Sequence, residues 1–228
     1  MTDSQRLRST PEGIRLVSEV AGELARRQGG RTSVLAVTTY FPVDVDSVAR
    51  VFEALEELEG VERVETGELT IYEITGAERF ATEGPAIGDE EFVDEAAGFL
   101  RAVAMLKGDK EWAEKVRRHH ELLYILAGAD ASTVDLSYLT SRAKISRARI
   151  QSILNDFDAA GHIGVEFDED IDELRYTIPA LDYPEERWKQ NMRRLDEVEP
   201  PARSRLSFWV FLAIFAVIVL IVVILLRF

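Results

Sequence analysis

The stretch LSYLTSRAKISRARIQSILNDFDAAGHIGVE, residues 136–166, decides how the chain folds. Ile150, Ile153, Leu154 and Phe157 recur at i, i+3, i+4 and i+7, the spacing that gathers side chains on one face of an α-helix. Ser146 stands where the N-cap of that helix belongs, and Gly161 where it should stop. Upstream, Asp135 can cap a short helix carrying Leu136 and Leu139, and Asp109 a longer one that runs to about Leu126 and ends near Gly128. Downstream, HIGVEF, the acidic DEDIDE and LRYTIP predict two strands joined by a turn.

The same order occurs once more, 102 residues earlier. Ile14, Val20, Leu24, Val34, Val37 and Val43 fall on Val116, Leu122, Leu126, Leu136, Leu139 and Ile145 without a gap. Val48, Val51, Phe52, Leu55 and Val61 then fall on Ile150, Ile153, Leu154, Phe157 and Ile163. Few identities accompany the match, so the duplication is one of apolar pattern. It predicts a helix over about Glu12–Arg27 ended by Gly29 and Gly30, a short helix near Ser33–Thr39, a helix capped by Asp44 or Asp46, and the hairpin VERVETGELTIYEI. The offset grows from 102 to 105 when Leu69 is set against Leu174, which makes the first hairpin turn about three residues shorter.

Three helices followed by a two-stranded wing, with a tight turn between the second and third, resembles the winged-helix superfamily of helix-turn-helix proteins. Leu136, Leu139, Ile145, Ser146, Ile150, Leu154, Phe157, Gly161 and Ile163 carry the resemblance, which covers roughly 110–179 well and 12–75 less closely. Pro42 departs from the pattern in the turn of the first copy. The resemblance implies an α+β fold: two winged-helix domains of three helices and a β-hairpin each, joined by a linker helix and followed by a C-terminal transmembrane helix. A pattern shared this widely names a fold and leaves the function open.

The expected organisation is an N-terminal tail over 1–11, a first winged-helix-like domain over 12–75, a linker with a bridging helix over 76–108 and a second domain over 109–180. A juxtamembrane segment over 181–205 and a membrane span over 206–226 complete it. Gly76, Gly84, Pro85 and Gly88 mark the linker, and Phe92, Ala96, Phe99, Val103 and Leu106 give the bridging helix, about Glu90–Lys107, one apolar face. Leu206–Leu226 is apolar except for Ser207 and, as a helix, would extend roughly 31 Å, the depth of a bilayer core. Only Arg227 and Phe228 follow it, which reads as a tail anchor. Arg203 and Arg205 on its N-terminal side predict a cytoplasmic bulk and a single pass through the cytoplasmic (inner) membrane, and MTDSQRLRSTPEG has no apolar run of signal-peptide length. Phe208 and Trp209 are expected at the membrane boundary with those arginines. Pro184 suits the first position of a helix whose Trp188, Met192 and Leu195 form a narrow stripe, for a membrane interface or a self-association seam.

Composition excludes much of chemistry. The 228-residue chain has no cysteine, which removes a disulfide framework, a thiolate zinc site and a cysteine nucleophile. Its formal net charge of −14 argues against a polyanion binder as a whole, so any nucleic-acid contact has to be local. Between Leu136 and Asn155 there are four bases, Arg142, Lys144, Arg147 and Arg149, and no acid. Gln151 and Asn155 could reach base edges from the same helix, as the third helix does when a helix-turn-helix enters a major groove. The aligned stretch Val34–Glu53 has one base, Arg50, against Asp44, Asp46 and Glu53, so the first copy is not built for DNA. Glu166, Asp168, Glu169, Asp170, Asp172 and Glu173 in the second wing would repel phosphates at distances that a Debye length of about 8 Å does not fully screen.

Asp168, Asp170 and Asp172 alternate as in a calcium loop, but Glu173 stands where its glycine should be. His119 and His120, adjacent on a helix, point to different sides, and with His162 they read as surface or partly packed residues. No phosphate loop, nucleophile elbow or zinc-protease motif occurs, so neither an enzyme nor a cofactor is expected. The reading is a non-catalytic, membrane-anchored binding module that recruits a partner, with a membrane-tethered DNA-binding transcription regulator as the alternative. Its partners are then the lipid bilayer and a protein, with DNA and a second copy of the chain left open.

Overall fold

The computed structural model of the chain describes residues 11–76, 110–129, 131–170 and 172–197. The expected bridging helix and the expected span at 206–226 lie outside them. Among the described residues no helix is long and apolar enough to cross a membrane. What they form is a mixed α+β structure of seven helices and two three-stranded antiparallel sheets.

The first unit runs α1 (Pro11–Arg27), β1 (Arg31–Thr32), α2 (Val34–Thr38), α3 (Val45–Leu55), β2 (Val61–Thr66) and β3 (Leu69–Ile74). The second repeats the order as α4 (Lys110–Ala127), β4 (Thr133–Asp135), α5 (Leu136–Arg142), α6 (Arg147–Ala159), β5 (Gly164–Asp168) and β6 (Glu173–Thr177). A last helix, α7 (Glu185–Glu197), begins one residue after Pro184, whose carbonyl accepts from the Trp188 N–H. The sheet orders match too: β1-β3-β2 in the first unit and β4-β6-β5 in the second. In each, a strand of two or three residues adds to the predicted hairpin. Such a strand is too short to show alternation in sequence, and the free edge of β3 or β6 creates it by offering hydrogen bonds.

Local signals explain the ends. Ser33 Oγ accepts from the Ala36 N–H at 3.1 Å, and Asp135, at the aligned position, does the same for Tyr138. Gly30, at a φ of 93°, returns its N–H to the Ala25 carbonyl at 2.7 Å and closes α1. Gly161, at a φ of 70°, closes α6 while the next residue, His162, donates to the Phe157 carbonyl.

The apolar positions paired at the offset of 102 lie in one core cluster, except that Ile14 is half-buried at its edge. The hairpins correct the expected offset. Thr66 pairs with Leu69 across two residues, and Asp168 with Glu173 across four, so the turns differ by two residues and not three. The reason is the period of a strand. An even change keeps Tyr72 and Tyr176, and after them Ile74 and Ile178, on the core side, whereas an odd one would have turned them to solvent.

Candidate partner-binding face

The basic residues singled out from sequence come together at the start of α6 and in the turn before it. Arg142, Lys144, Arg147, Arg149, Gln151 and Asn155 are all exposed, because Ile150, Ile153, Leu154 and Phe157 take the inward face of the helix. Helical spacing then divides them. Arg147, Gln151 and Asn155 follow one another at i, i+4 and i+8 as a single stripe. Arg149 and Lys144 instead line an open groove of about 520 Å³ against α4, together with Glu114, Arg118 and Ser152. Arg142 lies over the Tyr138 ring, 3.8 Å from its centroid, which fixes the end of α5.

Acids from other elements reach this face, and sequence spacing could not show them. Glu121 of α4 accepts from the Lys144 backbone N–H, Glu114 holds Arg118 at 3.0 Å, and Glu173 of β6 stands 3.9 Å from Arg147. Ser137 also donates to Glu173, at 2.7 Å. In the wing, Asp168 is paired with Arg175 at 2.6 Å, while Glu166, Glu169 and Asp170 are exposed beside Phe167, itself 58% exposed. The face is therefore of mixed charge, basic along α6 and acidic on its wing.

The equivalent face of the first unit is closed. Its residues Tyr40 to Val45 and Ser47 are buried, with Val45 at 0% exposed where Arg147 stands open in the second unit. The first helix of the second unit covers it. Trp112 Nε1 donates to Asp44 Oδ2 at 2.9 Å, Ser47 Oγ donates to the same oxygen at 2.7 Å, and Lys115 pairs with Asp46. Asp44 is the N-cap residue of α3, as expected, yet its carboxylate makes no capping bond because these partners hold it. His120 Nε2 donates to the Val43 carbonyl at 3.0 Å, and the Val45 N–H donates to His119 Nδ1 at 3.4 Å.

The histidines are thus not at the surface: His119, His120 and His162 are 3%, 0% and 9% exposed. His119 and His120, adjacent on α4, both meet the turn from Val43 to Val45, which reaches across them. Burial is the main reason that each is pushed down to about 4. Periodicity alone does not read the burial of His119 and His120, because it comes from a turn some seventy residues earlier in the chain.

From the other side, α7 and the segment before it complete the cover. Asn191 Nδ2 donates to the Tyr40 carbonyl at 3.1 Å, and Tyr40 Oη donates to Asp182, which also meets Arg27 at 3.2 Å. Burial, helped by Asp182, pushes the Tyr40 hydroxyl up to about 12. The stripe assigned to a membrane interface or a seam has an intramolecular partner instead. Leu195 is buried, Met192 packs on the core, and the Trp188 ring stacks on Tyr124 with centroids 5.0 Å apart. Arg187 and Asn191 are buried beside them. Arg203, Arg205, Phe208 and Trp209 lie outside the described residues. Among those described, no cluster of three His, Asp or Glu side chains could hold a metal ion. No protein-family model matches the chain, and neither does any curated protein.

Proposed function

We propose that the protein is a non-catalytic binding module of two winged-helix units, tethered to a membrane through residues 206–226, in which only the second unit offers its helix-turn-helix face to a partner. One observation carries this reading: aligned positions of the two units are buried in the first and exposed in the second, Val45 against Arg147 and Ser47 against Arg149. Exposed bases beside acids suit a protein partner whose own surface carries acidic and basic groups. The role is then that of an adaptor that brings such a partner to the membrane.

A second reading, a tethered transcription regulator, is favoured by the stripe of Arg147, Gln151 and Asn155, which has the residue types that read base edges. Glu173, 3.9 Å from Arg147, works against it by opposing phosphate at the centre of the face. Binding of the full chain in lipid nanodiscs to random duplex DNA over a salt series separates the two. The adaptor reading expects no DNA retention at low salt. Retention that falls with salt at a slope near −0.9 per phosphate contact, and is lost in Arg147→Ala/Arg149→Ala, would establish the regulator instead. Tethering has its own check: truncation after Arg205 should move the protein from the membrane to the soluble fraction, and retention there would show that another element anchors it.

A further inference from the structure

We infer that the joint between the two units is an acid-labile latch: protonation of His119, His120 and His162 frees α4 from the α2–α3 turn and uncovers the face of the first unit that the neutral form keeps closed. The inference stands apart from which partner the second unit binds. Its basis is placement. All three histidines of the chain are buried where the units meet, although nothing in a helical repeat requires a histidine there. The His119 ring meets Phe157 of α6 edge-on at 5.2 Å, and Phe157 in turn meets His162 at 6.4 Å, so one aromatic ring links all of α4, α6 and the approach to β5.

Protonation breaks the His119 bond directly and acts on His120 and His162 through burial. His119 uses Nδ1 as an acceptor for the Val45 N–H, so a proton on that nitrogen sets donor against donor. His120 is fully enclosed, and a cation there has no water to solvate it. The charged groups around the cluster do not cancel this. Lys115 of α4 disfavours a charge on His119 and Arg63 of β2 disfavours one on His162, while Asp44 and Asp46 favour His119, Asp44 and the Val43 and Phe41 carbonyls favour His120, and Asp46 favours His162. Burial outweighs these attractions at every site, leaving each histidine at about 4 in the closed form against 6.5 when opened to water. Linkage between those values favours the opened form about tenfold per histidine at pH 5.5, or about a thousandfold for the three.

Hydrogen exchange of the full chain in detergent micelles tests the latch, with rates corrected for the intrinsic pH dependence of exchange. Between pH 7.5 and 5.5, protection of amides 43–47 and 112–120 should fall at least about a hundredfold further than that of the buried face of α1. His119→Asn/His120→Gln retains an acceptor and a donor near the native positions but cannot titrate, and in it the loss should shrink to about tenfold. Equal loss in α1 and the joint, or an unchanged pH response in the variant, overturns the latch. Should that variant fail to fold, side-chain NMR of the wild-type histidines decides. All three should titrate well below 6.5, and a histidine titrating near 6.5 while the joint stays protected overturns the proposal.

Discussion

The turns into α3 and α6 are built on one pattern and live in opposite surroundings. Around α3, the turn Tyr40–Asp44 is buried, its Asp44 carboxylate neutralised, and it lies under α4 and α7. Around α6, the aligned turn carries Arg142 and Lys144 and lies open. The repeated core is the same in both, so the difference comes from the outer positions alone. A repeated unit can therefore keep its fold while one copy's face is covered by its sibling and the other's stays exposed.

Exchanging residues between the two turns should break the comparison most sharply. Val45→Arg would place an unpaired guanidinium where nothing is exposed, and should destabilise the chain by about 3–5 kcal/mol in urea unfolding. Arg147→Val, the reciprocal change on the open face, should stay within about 0.5 kcal/mol. Equal losses would mean that the first turn is not closed.

Acidification comes next in size. In the folded chain the three histidines are depressed below the ordinary value, so the unfolded state binds more protons between pH 6.5 and 4. Their contribution is present in full above about pH 6.5 and is lost as the pH falls toward 4, at roughly 1.4 kcal/mol per histidine by pH 5.5. Urea midpoints measured across that window should fall in wild type and fall less in His119→Asn/His120→Gln. Trp112→Phe sharpens the same point. It removes the indole donor from Asp44 and should cost about 1–3 kcal/mol in the same assay, with no counterpart in the second unit.

Two glycines give the smallest test. Gly161, at a φ of 70°, also faces Thr70 of the first hairpin, whose Oγ1 would lie 2.6 Å from an added Cβ, while Thr70 N–H donates to the Gly161 carbonyl at 2.7 Å. Gly67 has a similar φ of 63° and open space around it. Gly67→Ala should thus lose about 1 kcal/mol from backbone strain, and Gly161→Ala more, since the Thr70 side chain must also give way. Thermal midpoints of the two variants measure the difference.

Read from the residues alone, most element positions are legible. Ile150, Ile153, Leu154 and Phe157 specify α6, and the apolar pairs at an offset of 102 specify its partner α3, because burial of one helical face demands that spacing wherever the helix sits. The charged residues of the open face were legible as well, since an exposed helix start with four bases follows from which positions the core takes. Less was legible where a residue serves a distant element. Trp188, Met192 and Leu195 show a stripe but not what meets it, and Arg187 and Asn191 give no sign of burial. His119, His120 and Asp44 reveal their roles only when α4 lies against the turn from Phe41 to Asp44.

Sequence by itself determined the two repeated units, where most of their helices begin and stop, and the charge on each third helix, because these depend on neighbours within a few residues. Tertiary structure decided which of the two faces is covered, where the histidines go, and that α7 turns its stripe inward. Those outcomes depend on contacts between residues some seventy to one hundred and fifty positions apart, as from Val45 to His119 and from Tyr40 to Asn191. Local periodicity has no term for such pairs.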